Sequence, residues 1–450
     1  NGKPKMSGKI FIKPDQETKA ETKPGNYFVS NYPPFSFWTE EDIPCVESML
    51  NSPSPGTAPL GIYYHIPFCR KRCHFCYFRV YTDKNSQDVR RYLDATMREL
   101  EAYANSPYLA GRKPKFVYFG GGTPSYLSAQ QLTELTDRMK EIMPWDDVEE
   151  VTFECEPGTL SEKKLEVIKN FGVTRLSLGI ENFNDHILEI NGRAHRSKEV
   201  FKAYEFARNL GFQNINIDLI AGMLEETDDN WKECIEKVVD LSPDCITIYQ
   251  MEVPFNTTIF KSMKDQGKLT APVADWPTKR RWVTEAYENL ETAGYTITSA
   301  YTAVKNPQNT KFVYRDRLWA GADMVALGVA SFGHLGGIHY QNQTHFDQYC
   351  ESQESHSSAV RRALLTNDDE RFLREFILQW KLGRVNTSYF QKKFNVNVLK
   401  RFKKILNNWK KAGDLYEENG NLFLSMDALL RIDSMLHEFF LPQHQNAKYV

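Results

Sequence analysis

The chain has 450 residues, of which 41% are hydrophobic, 25% charged and 13% aromatic. That composition fills a sizeable core and excludes wholesale disorder or a fibrous chain. Its 56 basic and 58 acidic side chains leave a formal charge of −2, which argues against a nucleic-acid or anionic-membrane binder driven by overall charge.

Residues 1–24 are polar and Lys-rich; disorder is expected there, and the segment lacks the apolar core of a signal peptide. No stretch approaches the ~18 apolar residues of a membrane span. A soluble, cytoplasmic protein is therefore expected, with no nucleic-acid partner. Residues 27–38 are aromatic and Pro-rich and read as an arm packed on the main body. From Gly61 the pattern turns periodic. Strands are predicted at 62–65, 116–119, 151–153, 175–178, 215–220 and 245–249, alternating with helices at 88–104, 128–142, 161–170, 197–210 and 229–240. This alternation is the signature of parallel βαβ units. Six units fall short of a closed eight-stranded barrel, so the expected fold is α/β, a partial (β/α)6 barrel.

Residues 253–353 are less regular, with a helix at 279–293 and a glycine-rich apolar stretch at 321–337. From 368 onward the chain is helical, with a hairpin-like piece at 414–423 whose turn is Asn419-Gly420. Helices followed by a hairpin read as a small winged-helix-like module. The expected organisation is an N-terminal extension and arm (1–59), a barrel core (60–255), a region closing the site (256–365) and a helical C-terminal domain (366–450).

Three of the eight cysteines crowd into Cys69-Arg70-Lys71-Arg72-Cys73-His74-Phe75-Cys76. A disulfide framework fits a large chain without an export signal poorly. Three thiols on one short loop can converge on a metal centre: an iron–sulfur cluster with one iron left open, or structural zinc with His74 as an awkward fourth ligand. The other cysteines read as small buried hydrophobes.

In parallel α/β proteins, ligand sites gather at the C-terminal ends of the strands. Here those ends carry the cysteine loop, then Gly120-Gly121-Gly122-Thr123, Glu154 and Glu156, Glu181, and Asp218. The glycines would let a ligand approach the backbone and its amides. Asp218, inside an apolar run, needs a partner if buried, and Arg193 is the candidate. Arg315, Asp316 and Arg317 read as a surface ion-pair cluster or as contacts to an anionic substrate.

Cys69-x3-Cys73-x2-Cys76, with aromatic Phe75 before the last cysteine, resembles the cluster motif of radical S-adenosylmethionine (SAM) enzymes. Tyr63-Tyr64-His65-Ile66-Pro67-Phe68-Cys69 and Gly120-Gly121-Gly122-Thr123-Pro124-Ser125 are similar to the oxygen-independent coproporphyrinogen III dehydrogenase subfamily. Its relatives include a haem chaperone, haem-degrading enzymes, methylases and cyclopropanases. The resemblance covers roughly residue 26 to the C-terminus. It implies a [4Fe–4S] cluster on Cys69, Cys73 and Cys76, whose open iron binds SAM and cleaves it to a 5′-deoxyadenosyl radical. It implies that Tyr63, Gly121, Glu154 and Phe332 contact one SAM. A second SAM would meet Phe75, Gly122, Thr123, Glu181, Arg193, Asp218 and Ile220. It also implies a small-molecule substrate and a reducing partner such as flavodoxin or ferredoxin.

Three departures bear on activity. Phe78 stands where the dehydrogenase has a further cysteine, and Glu181 where it has Gln. Residues 312–319 lack the chaperone's His-Asn pair, whereas Tyr340-Gln341-Asn342-Gln343 matches the dehydrogenase. The leading expectation is a methylase or another enzyme that functionalises C–H bonds. The alternatives are oxidative decarboxylation of coproporphyrinogen III and, behind it, haem carriage.

Overall fold

The computed structural model describes residues 28–268 and 270–445; the polar segment expected to be disordered at 1–24 lies outside them. Six parallel strands lie side by side in chain order: β1 (Leu60–Ile66), β2 (Pro114–Gly121), β3 (Glu150–Cys155), β4 (Arg175–Glu181), β5 (Asn214–Ala221) and β6 (Cys245–Gln250). Their outward residues are almost wholly buried under the crossover helices. Phe119, Phe153, Leu176, Ile217 and Ile246 sit in one continuous core with Tyr92, Leu132, Ile168 and Val238, as expected for a sheet covered by helices.

The predicted alternation holds, and the helices start where side-chain caps permit. Asn85 and Ser128 each accept hydrogen bonds from the first-turn amides of the helices Ser86–Ala104 and Ala129–Ile142, in capping boxes closed by Asp88 and Gln131. Between β4 and β5 the sequence reading missed a short helix, Asp185–Ile190, capped by Asn184, and elsewhere it missed the helices Ile43–Leu50, Thr258–Asp265 and Phe346–Glu354.

The sheet is larger than the six expected strands. The irregular middle of the chain supplies both of its flanks. β7 (Thr296–Ile297) and β8 (Thr302–Val304) extend the β6 edge in antiparallel fashion. On the other side β9 (Asp323–Leu327) runs parallel to β1, and β10 (Phe332–Leu335), β11 (Ile338–Asn342) and β12 (Val360–Leu365) follow antiparallel, making twelve strands. The sheet curls. Flat strands spaced ~4.8 Å apart would hold β2 and β6 well apart, yet Tyr118 on β2 and Tyr249 on β6 interact across the concave face.

The concave side is polar and is plugged at its lower end by the short helix Val313–Trp319. The buried Glu150 carboxylate accepts the amides of Val313 and Tyr314 at 2.8 and 3.1 Å, which seats that helix. Tyr314 then packs tilted against Tyr118, ring centroids 4.2 Å apart. Arg315 lies over Phe312 and Trp319 and donates to Thr302, while Arg317 pairs with Glu149.

The C-terminal region packs the helix Asp368–Trp380 and the helices Thr387–Phe394 and Lys403–Ala412 against a small sheet, β13 (Arg384–Asn386), β14 (Leu415–Glu418) and β15 (Asn421–Leu424). Asn419 and Gly420 both take positive φ at the β14–β15 turn. The arm folds into a short turn, Phe35–Phe37, between the two parts. Tyr32 bonds His444 at 2.7 Å, and Trp38 stacks on His339. No helix among the described residues is long and apolar enough to cross a membrane.

Candidate active site at the strand ends

The cysteine loop leaves β1 and is clamped from three sides. Cys69 N and Tyr81 O, and Tyr81 N and Pro67 O, pair like a short ladder. Arg70 makes a two-pronged contact with Glu156 at 2.9 and 3.0 Å. His195 reaches the same carboxylate at 3.3 Å. Burial alone would raise the Glu156 pKa, but His195 and Arg70 hold it below the usual range. His74 Nδ1 meets Ile190 O at 2.8 Å, and the Nε2 edge of its ring lies against Gly192.

Two of the three glycines are held close by protein on the side where a Cβ would stand. Gly121 sits at φ +116°, and a Cβ there would strike the His65 ring; a Cβ on Gly122 would meet Pro67 and the Cys69 sulfur at about 3.0 Å. The space beside these two residues is thus filled by protein. They let the cysteine loop cross close over the end of β2.

Three carboxylates face the same space. Glu154 accepts from the Tyr118 hydroxyl at 2.5 Å and from Gly121 N at 3.3 Å. Burial lifts its pKa to about 7, against the pull of Tyr118. Glu181 stands at a register shift between β4 and β5 with a left-handed backbone, φ +69°. A bulge re-aims its side chain, and such a strained non-glycine residue marks functional sites. Burial lifts Glu181 to about 7 as well, with Arg193 opposing at 3.8 Å.

Asp218 is also raised by burial, but Arg193 is not its partner. Ser177 on β4 and Asn216 on β5 each donate to it at 2.9 Å, so a polar ladder across the two strands does the work expected of the arginine. Arg193 instead donates to Gly179 O and to the Cys73 sulfur at 3.3 Å. It therefore joins the cluster loop to the Glu181 bulge.

Of the other expected residues, Thr123 donates to the Cys69 sulfur at 3.3 Å. Tyr63 stacks on Tyr118 and its hydroxyl meets His65 Nδ1 at 3.1 Å. Phe75 and Ile220 share an apolar cluster with Ile187, Met223 and Met251. Phe332 packs under the arm, against Phe35 at 4.4 Å and Trp38 at 5.6 Å. The sequence reading missed His65, kept neutral by burial with a pKa lowered to about 4. It also missed Tyr118, Tyr249 and Tyr77, which interact with the carboxylates. Strand alternation held the signal for Tyr118, which shares the inward parity of Gly120 on β2.

Among the described residues no three His, Cys, Asp or Glu side chains converge as a single ion requires. Three thiolates that each bind a different iron need no such convergence. Burial holds Cys69 up at about 11 and Cys76 at about 12, so they stay thiols until a metal draws the protons off. Donors from Thr123 and Arg193 point at two of the sulfurs, and the buried Nε of Arg193 and Nε2 of His65 have no partner among the described residues. The residues fit a sulfur-ligated cluster with a polar molecule beside it.

The radical SAM superfamily profile matches residues 63–238, the stretch from Tyr63 through the cysteine loop to the helix after β5. The chain carries a radical SAM domain. Such a domain implies a [4Fe–4S] cluster and S-adenosylmethionine. The heme chaperone HemW of Bacillus subtilis (strain 168) is 29% identical over 374 residues, 81% of this chain and 94% of that protein. The oxygen-independent coproporphyrinogen III oxidase of Escherichia coli (strain K12) is 27% identical over 326 residues, 69% of each chain. The solved Escherichia coli coproporphyrinogen III oxidase, HemN, superposes with a TM-score of 0.79 at 22% identity, covering 93% of this chain and 99% of that one. The fold is therefore that of HemN, helical C-terminal region included, and in sequence the chain is similar to both the HemW and the coproporphyrinogen III oxidase proteins. Neither relative is a methylase, so the leading expectation from the sequence gains no support.

Proposed function

We propose that this protein is a radical enzyme that removes hydrogen from a C–H bond of a small molecule, and that the propionate side chain of a porphyrinogen is its first candidate substrate. One observation carries the reading: a thiol loop and three part-buried carboxylates meet at one set of strand ends, with Arg193 bonded to the loop and paired with Glu181.

Cys69, Cys73 and Cys76 would hold the cluster, which when bound supplies the electron that breaks the sulfonium bond of SAM. The chain's own residues do the rest. Thr123 and Arg193 donate to cluster sulfurs, and such bonds tune reduction potential. Glu154, oriented by Tyr118, would take the amino group of SAM, whose positive charge offsets the cost of a buried carboxylate. Glu181 and Asp218 would take hydroxyl or amino groups, at a second SAM or on substrate. Tyr77 and Tyr249, 42% and 41% exposed in the unloaded chain, border the space beside Tyr301, and with ligands bound they would help keep water from a reactive intermediate.

Haem carriage has the relative with the longer aligned stretch, but residues 312–319, where the chaperone motif would fall, lack its His-Asn pair, and the helix they form plugs the sheet. The test is anaerobic reconstitution with dithionite and SAM, with and without coproporphyrinogen III, followed by mass spectrometry. Substrate-dependent 5′-deoxyadenosine with loss of carbon dioxide is expected. Accumulating S-adenosylhomocysteine would instead make the protein a methylase. Stoichiometric haem binding without cofactor cleavage would make it a carrier.

A further inference from the structure

The chemistry proposed above consumes one electron for each SAM cleaved, and this inference rests on that reading. The electron must come from outside the chain and enter near the thiols, because transfer rates fall steeply with distance. Residues 69–79 carry Arg70, Lys71, Arg72 and Arg79 and no acidic residue, in a chain whose net charge is −2. Arg70 and Arg72 are occupied in holding the loop, through Glu156 and Cys76 O. Lys71 and Arg79 are exposed, and no described acid pairs with Lys71.

The helix Thr258–Asp265 enlarges this surface. Ile259 N donates to His74 O at 3.1 Å, and Asn256 donates to Tyr77 O at 2.6 Å, so the start of that helix is bonded directly to the cysteine loop. Its Ile259, Phe260 and Met263 face inward, beside Phe75. Lys261 and Lys264 face solvent without an acidic partner among the described residues; Asp265 is the one acid on that helix. Phe78, 44% exposed and stacked on Tyr77 at 4.6 Å, adds an apolar contact in the same loop. An exposed aromatic flanked by basic side chains that lack acidic partners is how a transient, charge-steered interface is built.

We propose that Lys71, Arg79, Lys261 and Lys264 form the docking face for an acidic one-electron carrier protein, of flavin or iron–sulfur type. In the encounter the carrier gives up one electron, the cluster goes from the 2+ to the 1+ state, and no bond or proton moves.

The chain contains its own control. A second basic surface, on the helix Lys403–Ala412, exposes Lys403 and Lys404 and lies in the C-terminal domain. The experiment mixes photoreduced acidic flavodoxin with the cluster-loaded full chain under anaerobic conditions and follows cluster reduction across ionic strength. Flavodoxin affinity is measured in parallel from its flavin fluorescence. Charge steering changes association by about tenfold or more. Lys261→Glu with Lys264→Glu is expected to slow reduction and weaken binding by about tenfold at low salt and to flatten the salt dependence. Lys403→Glu with Lys404→Glu should stay within about twofold of the natural chain, as should reduction of every variant by dithionite. Lys71→Glu should act like the first pair. It lies between two cluster ligands, so its iron content is checked, and the helix pair decides if it fails to load.

Equal rates in the helix pair and the natural chain would overturn the proposal. So would an equal loss in the C-terminal pair, or no flavodoxin binding by the natural chain. The dithionite arm tests the parent reading separately: a loaded natural chain that makes no 5′-deoxyadenosine with dithionite and SAM refutes the radical reading, whatever the docking result.

Discussion

At the strand ends Glu154, Glu181 and Asp218 lie within electrostatic reach of one another, and burial lifts the pKa of all three. Arg193 is placed against only one of them. In the C-terminal domain Phe372, Phe376, Phe390, Phe402, Phe439, Trp380 and Trp409 pack ring on ring. Most of its charges lie at the surface, in pairs such as Arg401–Asp369 and Lys410–Glu417. One region concentrates unfavourable charge at a point; the other satisfies itself. The contrast teaches where to look for ligands. A fold tolerates clustered like charges and a left-handed Glu181 where a bound molecule completes them; a single orphaned donor is no such signal, since Trp380 Nε1 in the aromatic core is one too.

The largest effect expected is at the loop itself. Cys73→Ala should abolish cluster assembly, read as iron content and visible absorbance, while circular dichroism stays native. A variant that keeps a full cluster and still cleaves SAM would refute the ligand assignment. In the other region, Trp380→Ala empties the centre of the aromatic core, where the ring is fully buried. Denaturant titration should show a loss of about 3–5 kcal/mol, with SAM affinity per folded molecule unchanged. If that affinity falls with stability, the two regions are one cooperative unit and the contrast fails.

Glu154→Gln sharpens the comparison from the rim side. The natural carboxyl is raised to about 7, so the folded state holds a proton that the unfolded chain releases near 4.5. Stability of the unloaded chain should therefore fall as pH rises from about 4.5 to 7, and the variant should show a shallower fall. Water reaches this space, so the difference at pH 7.5 is on the order of 1 kcal/mol. Melting temperatures at pH 5.5 and 7.5 measure it. Identical slopes would mean that Glu154 is not held against its own charge. SAM affinity should drop in the same variant, because an amide carries no charge to pair with the amino group.

Much of this was legible in the sequence because it is local. A strand with its following helix fits within a short window, and β1 to β6 emerged where the apolar runs placed them. The cysteine spacing and the strand-end carboxylates are equally local. What escaped depends on residues far apart in the chain. β9 is five residues long and finds β1 more than 250 positions away, and β7 is two residues long; no periodicity announces either. Arg193 looked like the partner of Asp218 because both carry charge near strand ends, but Ser177 and Asn216 were already within hydrogen-bond reach on β4 and β5.

The smallest effect belongs to the self-satisfied region. Lys410 and Glu417 meet at 2.7 Å with side chains 37% and 36% exposed, bridging the helix Lys403–Ala412 to β14. Holding two long side chains in one geometry costs rotamer entropy, and solvent screens the attraction, so the pair should contribute about 0.2–1 kcal/mol. A double-mutant cycle with Lys410→Ala and Glu417→Ala should return a coupling in that range, shrinking further in 0.5 M salt. A coupling well above 1 kcal/mol that survives salt would mean that the hairpin is held by charge rather than by Leu415, Leu422 and Leu424 beneath it. The division between a charged rim and an aromatic domain would then be drawn in the wrong place.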